Sequence, residues 1–131
     1  MYRAKEKQMS IYDYLPPYHG ELRDKNRWVR LAEAIDWDRF EQGYSELFAP
    51  SGKAAISARI ALGCRIIQLH YAASDREVVA LVQESPYLQY FLGFESFTDQ
   101  VPFSSRTVAR FRARIPDKAV RPAVRLLRSY R

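Results

Sequence analysis

The feature that most constrains the fold is a long, apolar-rich segment near the middle of the chain, residues 54–73. At about 100° per residue, its apolar side chains cover one helical face and part of the opposite one. The first face carries Ile56, Ile60, Gly63, Cys64, Ile67 and Tyr71, and the opposite side carries Leu62, Ile66 and Leu69. A helix that is apolar around most of its circumference is typical of a domain centre, so we expect other helices to surround it.

Polar residues mark the rest of this helix. Arg59, Arg65 and Gln68 define the strip that we expect to face water. Gly63 lies in mid-helix, where glycine costs roughly 1 kcal/mol relative to alanine. We therefore expect Gly63 to permit the close approach of another helix.

The chain before this segment divides into an arm and two shorter helices. Residues 1–25 mix charges, tyrosines and a proline-rich turn without a sustained period, which predicts an irregular N-terminal arm. Asn26 can cap a first helix that ends near Asp36, and Asp36 can start a second that runs to about Phe48. The sequence at residues 49–52 then breaks the helical pattern.

Helix signals also punctuate the chain after the central segment. Ser74 and Glu77 have the spacing of a capping box, which predicts a helix over residues 75–84. Ser85 and Pro86 then open a short helix that ends at Gly93. Strand alternation, internal repeats and a second domain are absent from the sequence pattern. The predicted class is all-α, a compact multi-helix domain.

Residues 104–115 predict a helix with two unlike faces. Either Ser104 or Ser105 can cap its start. Its apolar arc carries Val108, Phe111 and Ile115, and a separate face carries Arg106, Arg110 and Arg114 at i, i+4 and i+8. Stacked like charges repel by a few tenths of a kcal/mol per pair, so stability alone does not favour this face. It is either the solvated side of an ordinary surface helix or a surface that binds anions.

The distribution of charge favours the second interpretation. The net charge is +6, but residues 103–131 hold eight arginines, one lysine and one aspartate, a net +8. The preceding 102 residues hold 12 basic and 14 acidic side chains, a net −2. Such asymmetry indicates a polyanionic partner at one end of the chain. Arginine pairs bidentately with phosphates and guanine edges, which lysine cannot do.

A capped helix, a short helix and then a basic helix follow the order of a helix-turn-helix-like unit, whose last helix enters the major groove N-terminus first. The loop of roughly ten residues before the basic helix is longer than the usual turn of such a unit. In this hypothesis, the N-terminal residues lie nearest base edges or phosphates and the later arginines line the groove wall. The predicted DNA-binding residues are Ser104, Ser105, Arg106, Thr107, Arg110, Arg112 and Arg114.

A final helix is predicted from Asp117 to about Ser129. Its apolar side consists of Ala119, Val120, Ala123, Val124 and Leu127. Pro122 interrupts the pattern, so we expect either a kink or a later start.

Other chemistry is poorly supported by the sequence. Cys64 is the single cysteine, which excludes an internal disulfide and favours a cytoplasmic setting, and neither a signal peptide nor a membrane span is evident. Two distant histidines, His19 and His70, do not make a zinc set, and the paired acids are explained by helix capping. The aromatic residues within 87–97 could stack bases, but their helical spacing favours core packing. We expect no catalytic residue, metal, cofactor or small-molecule substrate.

Four blocks in order resemble the N-terminal domain of bacterial insertion-sequence transposases of the InsH type. They are residues 31–41, 74–79, 85–93 and 104–115, with sequences LAEAIDWDRFE, SDREVV, SPYLQYFLG and SSRTVARFRARI. The resemblance covers roughly residues 29–124. It implies that residues 26–131 form a helical domain that binds double-stranded DNA at the terminal inverted repeats of the element.

The family also has a following RNase H-like domain with three catalytic acids and divalent metals. The chain stops at Arg131, where that domain would begin, so the resemblance implies a truncated, non-catalytic chain and no catalytic acid is carried over. Phe103 stands where family members tend to have a polar or acidic residue, which leaves the local loop conformation open. The alternative function is a module through which transposase subunits form a homo-oligomer, or an inhibitory truncated product, and the apolar side of the last helix motivates it.

Overall fold

The computed structural model describes residues 22–47 and 57–130, and within these ranges the regular secondary structure is entirely helical. The all-α prediction is therefore confirmed. The helices are α1 (Arg27–Ala34), α2 (Trp37–Leu47), α3 (Ala58–Tyr71), α4 (Asp75–Glu84), α5 (Pro86–Phe91), α6 (Ser105–Arg114) and α7 (Asp117–Ser129).

Helix α3 is the centre of the domain, as its apolar circumference predicts. It packs against α2, α4, α6 and α7, while α1 packs against α5 and α7. Its residues 61–68 are all buried in an unbroken run of more than two turns. Because α3 supplies apolar contacts on several sides, the helices around it share one core.

The expected wet strip of α3 was wrong for two of its three residues. Arg65 and Gln68 are only 3% and 5% exposed. Both side chains satisfy their polar groups inside the protein: Arg65 Nε donates to the Ile115 carbonyl at 2.9 Å, and Arg65 Nη1 donates to Gln68 Oε1 at 2.8 Å. Burial of polar groups is tolerated where such partners exist.

Arg59 is half-buried and also has internal partners. Its Nε donates to the Phe91 carbonyl at 2.9 Å and its Nη2 to the Tyr90 carbonyl at 3.2 Å. Its guanidinium carbon lies 4.6 Å from the centre of the Trp37 ring. Burial lowers the pKa of Arg59 to about 10, and the side chain joins α3 to α2 and α5.

Side-chain caps start most of the helices at the predicted positions. The Ser74–Glu77 capping box is complete, with Ser74 N donating to Glu77 Oε1 at 2.7 Å and Glu77 N donating to Ser74 Oγ at 3.1 Å. Asn26, Asp36, Ser85 and Ser104 cap helices as predicted, and Ser57, which was not among the predicted caps, starts α3. These local bonds satisfy backbone N–H groups that the first turn leaves unpaired.

Two glycines have the roles that their positions indicate. A Cβ atom on Gly63 would lie 2.4 Å from Leu92 Cδ2, so glycine permits the close approach of the end of α5. Gly93 follows α5 with φ at 87°, a conformation that glycine adopts readily. Phe91, which is fully buried, packs edge-on against Trp28 and Trp37 with ring centres 5.0 and 5.5 Å away. The core interpretation of the aromatic residues is therefore confirmed for Phe91.

Helix α7 begins at Asp117 and continues past Pro122, so its start is not delayed by the proline. Val120, Val124 and Leu127 are buried against the core. The apolar side of this last helix is thus covered within the domain, which removes the observation that motivated the alternative of an interaction module. Leu126 remains 40% exposed on the outer side.

The predicted N-terminal arm falls mostly outside the described residues. The predicted break at residues 49–52 lies outside them too. Within the last residues assigned to the arm, Leu22 is 4% exposed and belongs to the core cluster. The Arg23 backbone N–H donates to the Tyr87 hydroxyl at 3.0 Å.

We predict that Arg65→Met lowers the free energy of unfolding by about 2 to 4 kcal/mol, because the Ile115 carbonyl and Gln68 Oε1 lose their donor in a buried setting. Urea unfolding at neutral pH measures the change. Arg121→Gln is the control, since Arg121 is exposed and lies 4.0 Å from Asp117, and we expect it to change stability by less than about 0.5 kcal/mol. Equal losses in the two variants would contradict this role of Arg65.

Candidate nucleic-acid interface

The start of α6 is fixed by a polar cap and an apolar contact. Ser104 Oγ accepts from the Thr107 backbone N–H at 3.4 Å and lies 3.4 Å from Thr107 Oγ1. Phe103 and Val108, which flank this cap, are 7% and 0% exposed and share the core cluster. This is the arrangement of a hydrophobic staple. Phe103 therefore anchors the entry into α6, which resolves the loop conformation that the sequence left open.

The arginines of α6 fall on two flanks of its buried face. Val108 and Phe111 point into the core, and about 100° per residue places Arg106, Arg110 and Arg114 together on one flank. All three side chains are exposed. Within residues 22–47 and 57–130, neither Arg106 nor Arg110 has a hydrogen-bond or ion-pair partner. This flank, which we call the basic flank, presents positive charge to solvent.

Arg112 lies on the opposite flank and contacts α4. Its Nε donates to Asp75 Oδ1 at 3.1 Å and its Nη2 donates to Asp75 Oδ2 at 2.9 Å. Asp75 Oδ1 also accepts from Gln68 Nε2 at 2.8 Å. Of the seven predicted contact residues, the structure thus separates Arg112 from the other arginines and engages it in an ion pair.

The three hydroxyl residues lie at the N-terminal end of α6. Ser104 is exposed, whereas Ser105 and Thr107 are half-buried. The Ser104 hydroxyl is already occupied as a cap acceptor, although it retains a proton to donate. The structure therefore gathers Ser104, Ser105, Thr107 and Arg106 within the first turn of the helix.

The segment before α6 is held by a buried glutamine. Gln89 is fully buried, and its Nε2 donates to the Val82 carbonyl at 2.9 Å and to the Thr98 carbonyl at 2.6 Å. Its Oε1 accepts from the Thr98 backbone N–H at 2.9 Å. This amide attaches the long loop before α6 to α4 and α5, so the extra length of the loop does not leave α6 without support.

The turn after α6 is equally constrained. Only Ile115 and Pro116 separate α6 from α7. Arg65 binds both sides of this turn, through the Ile115 carbonyl and through an ion pair with Asp117 Oδ1. One side chain of α3 thus contacts both sides of the turn that joins α6 to α7.

Helix α7 adds exposed cations that the predicted site omitted. They are Lys118, Arg121, Arg125 and Arg128. They contribute to the net charge of residues 103–131, but the predicted DNA-binding residues did not include them. The sequence signal was thus present in their spacing: Lys118 and Arg125 lie on the outer side of α7, and Arg121 and Arg128 lie together on one flank of its buried face.

Three further features concern metal binding, membrane insertion and the single cysteine of the chain. Residues 22–47 and 57–130 contain no group of three His, Cys, Asp or Glu side chains that could hold a metal ion. No helix in those ranges is long and apolar enough to cross a membrane. Burial raises the pKa of the Cys64 thiol, which disfavours the thiolate.

An open pocket of about 410 Å³ lies beside the Arg65 network. It is lined by Arg65, Gln68, Asp75, Arg112 and Asp117, among others. Each of these polar side chains already bonds to another in the set. The polar side chains that line the pocket therefore bond to one another, and we interpret them as a structural network and not as a ligand-binding site.

Comparison with known proteins places this arrangement in a family. A family model described as "Transposase domain (DUF772)" matches residues 16–114, a span that contains all of α6. The chain belongs to this transposase-domain family. No solved structure matches the chain.

A relative from Rhizobium meliloti supports the same relationship. It is described as "Uncharacterized protein ORF8 in nfe locus" and is 37% identical over 94 residues. The match covers 72% of the present transposase domain and 45% of the relative. The chain thus spans less than half the length of this relative. The predicted relationship to transposases is confirmed at the level of the family.

The transposase domain should lose stability in acid partly through Asp75. Its pKa is lowered, chiefly by the hydrogen bond from Arg112 and further by that from Gln68. A carboxyl with a lowered pKa in the folded state stabilises the fold above its unfolded pKa, near 4, and this contribution is lost as the pH falls through the folded value.

We therefore predict that Asp75→Asn unfolds with a shallower acid dependence than the parent between about pH 5 and pH 2. Urea midpoints measured across that range test the difference. Arg112→Gln should also make the urea midpoint less dependent on pH in this range, but by a smaller amount. It removes the hydrogen bond that is the first cause of the lowered Asp75 pKa. Parallel curves for the parent and Asp75→Asn would show that the Asp75 contacts do not contribute.

Proposed function

We propose that this transposase domain recognises double-stranded DNA, and that α6 is the helix that faces the duplex. The observation that carries the proposal is the basic flank of Arg106, Arg110 and Arg114, which is exposed on a helix whose opposite side is anchored in the core. Membership of a transposase family makes DNA the polyanion of choice. The target in this proposal is the terminal inverted repeat of an insertion sequence, as in the InsH-type transposases.

The arrangement around α6 supports a helix-turn-helix-like mode of binding. Helix α4 packs against α6, and α5 lies between them in the chain and also packs against α4. In such units the N-terminal residues of the last helix approach base edges. We assign base contacts to Arg106 with Ser105 and Thr107, because guanidinium and hydroxyl groups can read the major groove. Arg110 and Arg114 lie further along the same flank and contact phosphates.

Arg112 has a different role in this proposal. Its guanidinium is held by both carboxylate oxygens of Asp75, which fixes α6 against the start of α4. Arg112 therefore acts as a positioning residue, and it contacts phosphate only if that ion pair is shared. Strand cleavage is assigned to an RNase H-like catalytic domain and not to this helical domain.

Duplex binding measured over a salt series tests the proposal. If about six of the basic residues in the C-terminal quarter contact phosphates, log K should fall against log[salt] with a slope near −5. The probes are a duplex that carries the terminal repeat and a scrambled duplex of equal length. A slope near zero, or equal affinity for a neutral polymer, would sink the proposal.

The roles along the basic flank predict two distinct phenotypes. Arg106→Ala should relax the preference for the repeat over the scrambled duplex, with a loss of about 1 to 3 kcal/mol on the repeat. Arg114→Ala should weaken both duplexes alike and reduce the salt slope by about 1. Arg39→Ala, an exposed arginine on α2, is the matched control and should change neither. The reverse assignment of phenotypes would mean that α6 docks in the opposite direction.

A further inference from the structure

Two arginines from different helices meet at the C-terminal end of α3. Arg27, at the start of α1, donates from Nη2 to the Tyr71 hydroxyl at 3.4 Å. Arg128, near the end of α7, donates from Nη2 to the His70 carbonyl at 3.2 Å. Because His70 and Tyr71 are consecutive, the fold brings two guanidiniums from distant parts of the chain to one place on the surface.

The charge at this place is not balanced by acids of the described chain. Within residues 22–47 and 57–130, no carboxylate forms an ion pair with Arg27 or Arg128. The pKa of the half-buried His70 is lowered, first by burial and then by the charges of Arg27 and Arg128, with no acidic contribution among the causes. Two cations without a carboxylate partner in the described chain therefore lie beside His70, and their charge favours an anion at this site.

Hydrogen-bonding capacity remains available for such an anion. A guanidinium has five N–H donors, and the contacts above use one from each arginine. Tyr71 is 40% exposed, and its hydroxyl accepts from Arg27 while its own proton is free to be donated elsewhere. His70 Nδ1 is buried and has no hydrogen-bond partner among the described residues, so we do not count the imidazole as a ligand.

We propose that Arg27, Arg128 and the Tyr71 hydroxyl form a phosphate-contact site for the DNA backbone, separate from the basic flank of α6. The identity of the ligand rests on the proposed function, whereas the presence of an anion site rests on the cluster itself. Guanidinium forks match phosphate geometry, and contacts to phosphate add affinity without reading sequence. The site thus extends the footprint of the domain on any duplex through α1 and α7.

The first test removes both charges in the double variant Arg27→Gln/Arg128→Gln. Affinity for the repeat and for a scrambled duplex should fall by the same factor, about tenfold at low salt, and the salt slope should become less negative by about 2. The matched control is Arg39→Gln/Arg76→Gln, which removes two exposed arginines from α2 and α4. If the two double variants bind alike, the site is overturned.

Variants that keep the charge serve as controls for misfolding. Arg27→Lys/Arg128→Lys should restore most of the salt slope, and thermal unfolding of each variant should confirm that it is folded. If Arg106→Ala weakens binding to the repeat but Arg27→Gln/Arg128→Gln does not, the proposed function stands and this site fails. If the parent binds neither duplex, the proposed function fails, and the titration of His70 described next decides whether an anion site exists.

The second test follows His70 by NMR in a His19→Gln background, where it is the sole histidine. A phosphate at this site offsets the two cations that lower the pKa of His70, so that pKa should rise when the scrambled duplex is added. Inorganic phosphate at the same total phosphate concentration is the second arm. A rise with inorganic phosphate alone would replace the DNA assignment with a small-anion site. An unchanged pKa in both arms would overturn the proposal.

Discussion

The guanidinium of Arg65 is the interaction on which the placement of α6 and α7 depends. It reaches from the centre of α3 to the Ile115 carbonyl and to Asp117, the two sides of the turn between those helices. A buried arginine is tolerated only because its donors are satisfied, and Gln68 takes another of them. The same bonds that make its burial acceptable therefore define the angle between the two most basic helices of the domain.

The network continues from Arg65 to the surface of α6. Gln68 Nε2 donates to Asp75 Oδ1, and Asp75 also forms the ion pair with Arg112. Asp75 is the first residue of α4, so one carboxylate joins α3, α4 and α6 near the capping box. Helix α6 is thus held near its C-terminal end by Arg112 and by the Ile115 carbonyl, while the basic flank stays exposed. A helix fixed in this way is already ordered before it contacts a ligand. Less conformational entropy would therefore be lost in the proposed binding of DNA.

Much of the fold could be predicted because its signals are local. Ser74, Ser85 and Ser104 start helices through bonds within three residues, and the apolar periodicity of α3 reports its burial directly. The inward direction of Arg65 could not be predicted, because the Ile115 carbonyl and the Asp117 carboxylate lie about 50 positions away in the chain. For the same reason, the ion pair of Arg112 with Asp75, 37 positions away, could not be predicted, and Arg112 was grouped with the DNA-binding arginines. Long-range polar pairing has no periodic signature, and this is where the sequence pattern fails.

The exposed arginines of α6 and α7 are best understood by comparison with the arginines that have partners inside the fold. Arg59, Arg65 and Arg112 are each matched by carbonyls, an aromatic face or a carboxylate, so the fold demonstrably places arginines where their charge is used internally. Arg106 and Arg110 lie on the same helix, within two turns of Arg112, but neither forms an ion pair with an acid of the described residues. Like charges at this spacing oppose helix formation slightly. Helix stability therefore does not account for their arrangement, which is consistent with the proposed contacts to DNA.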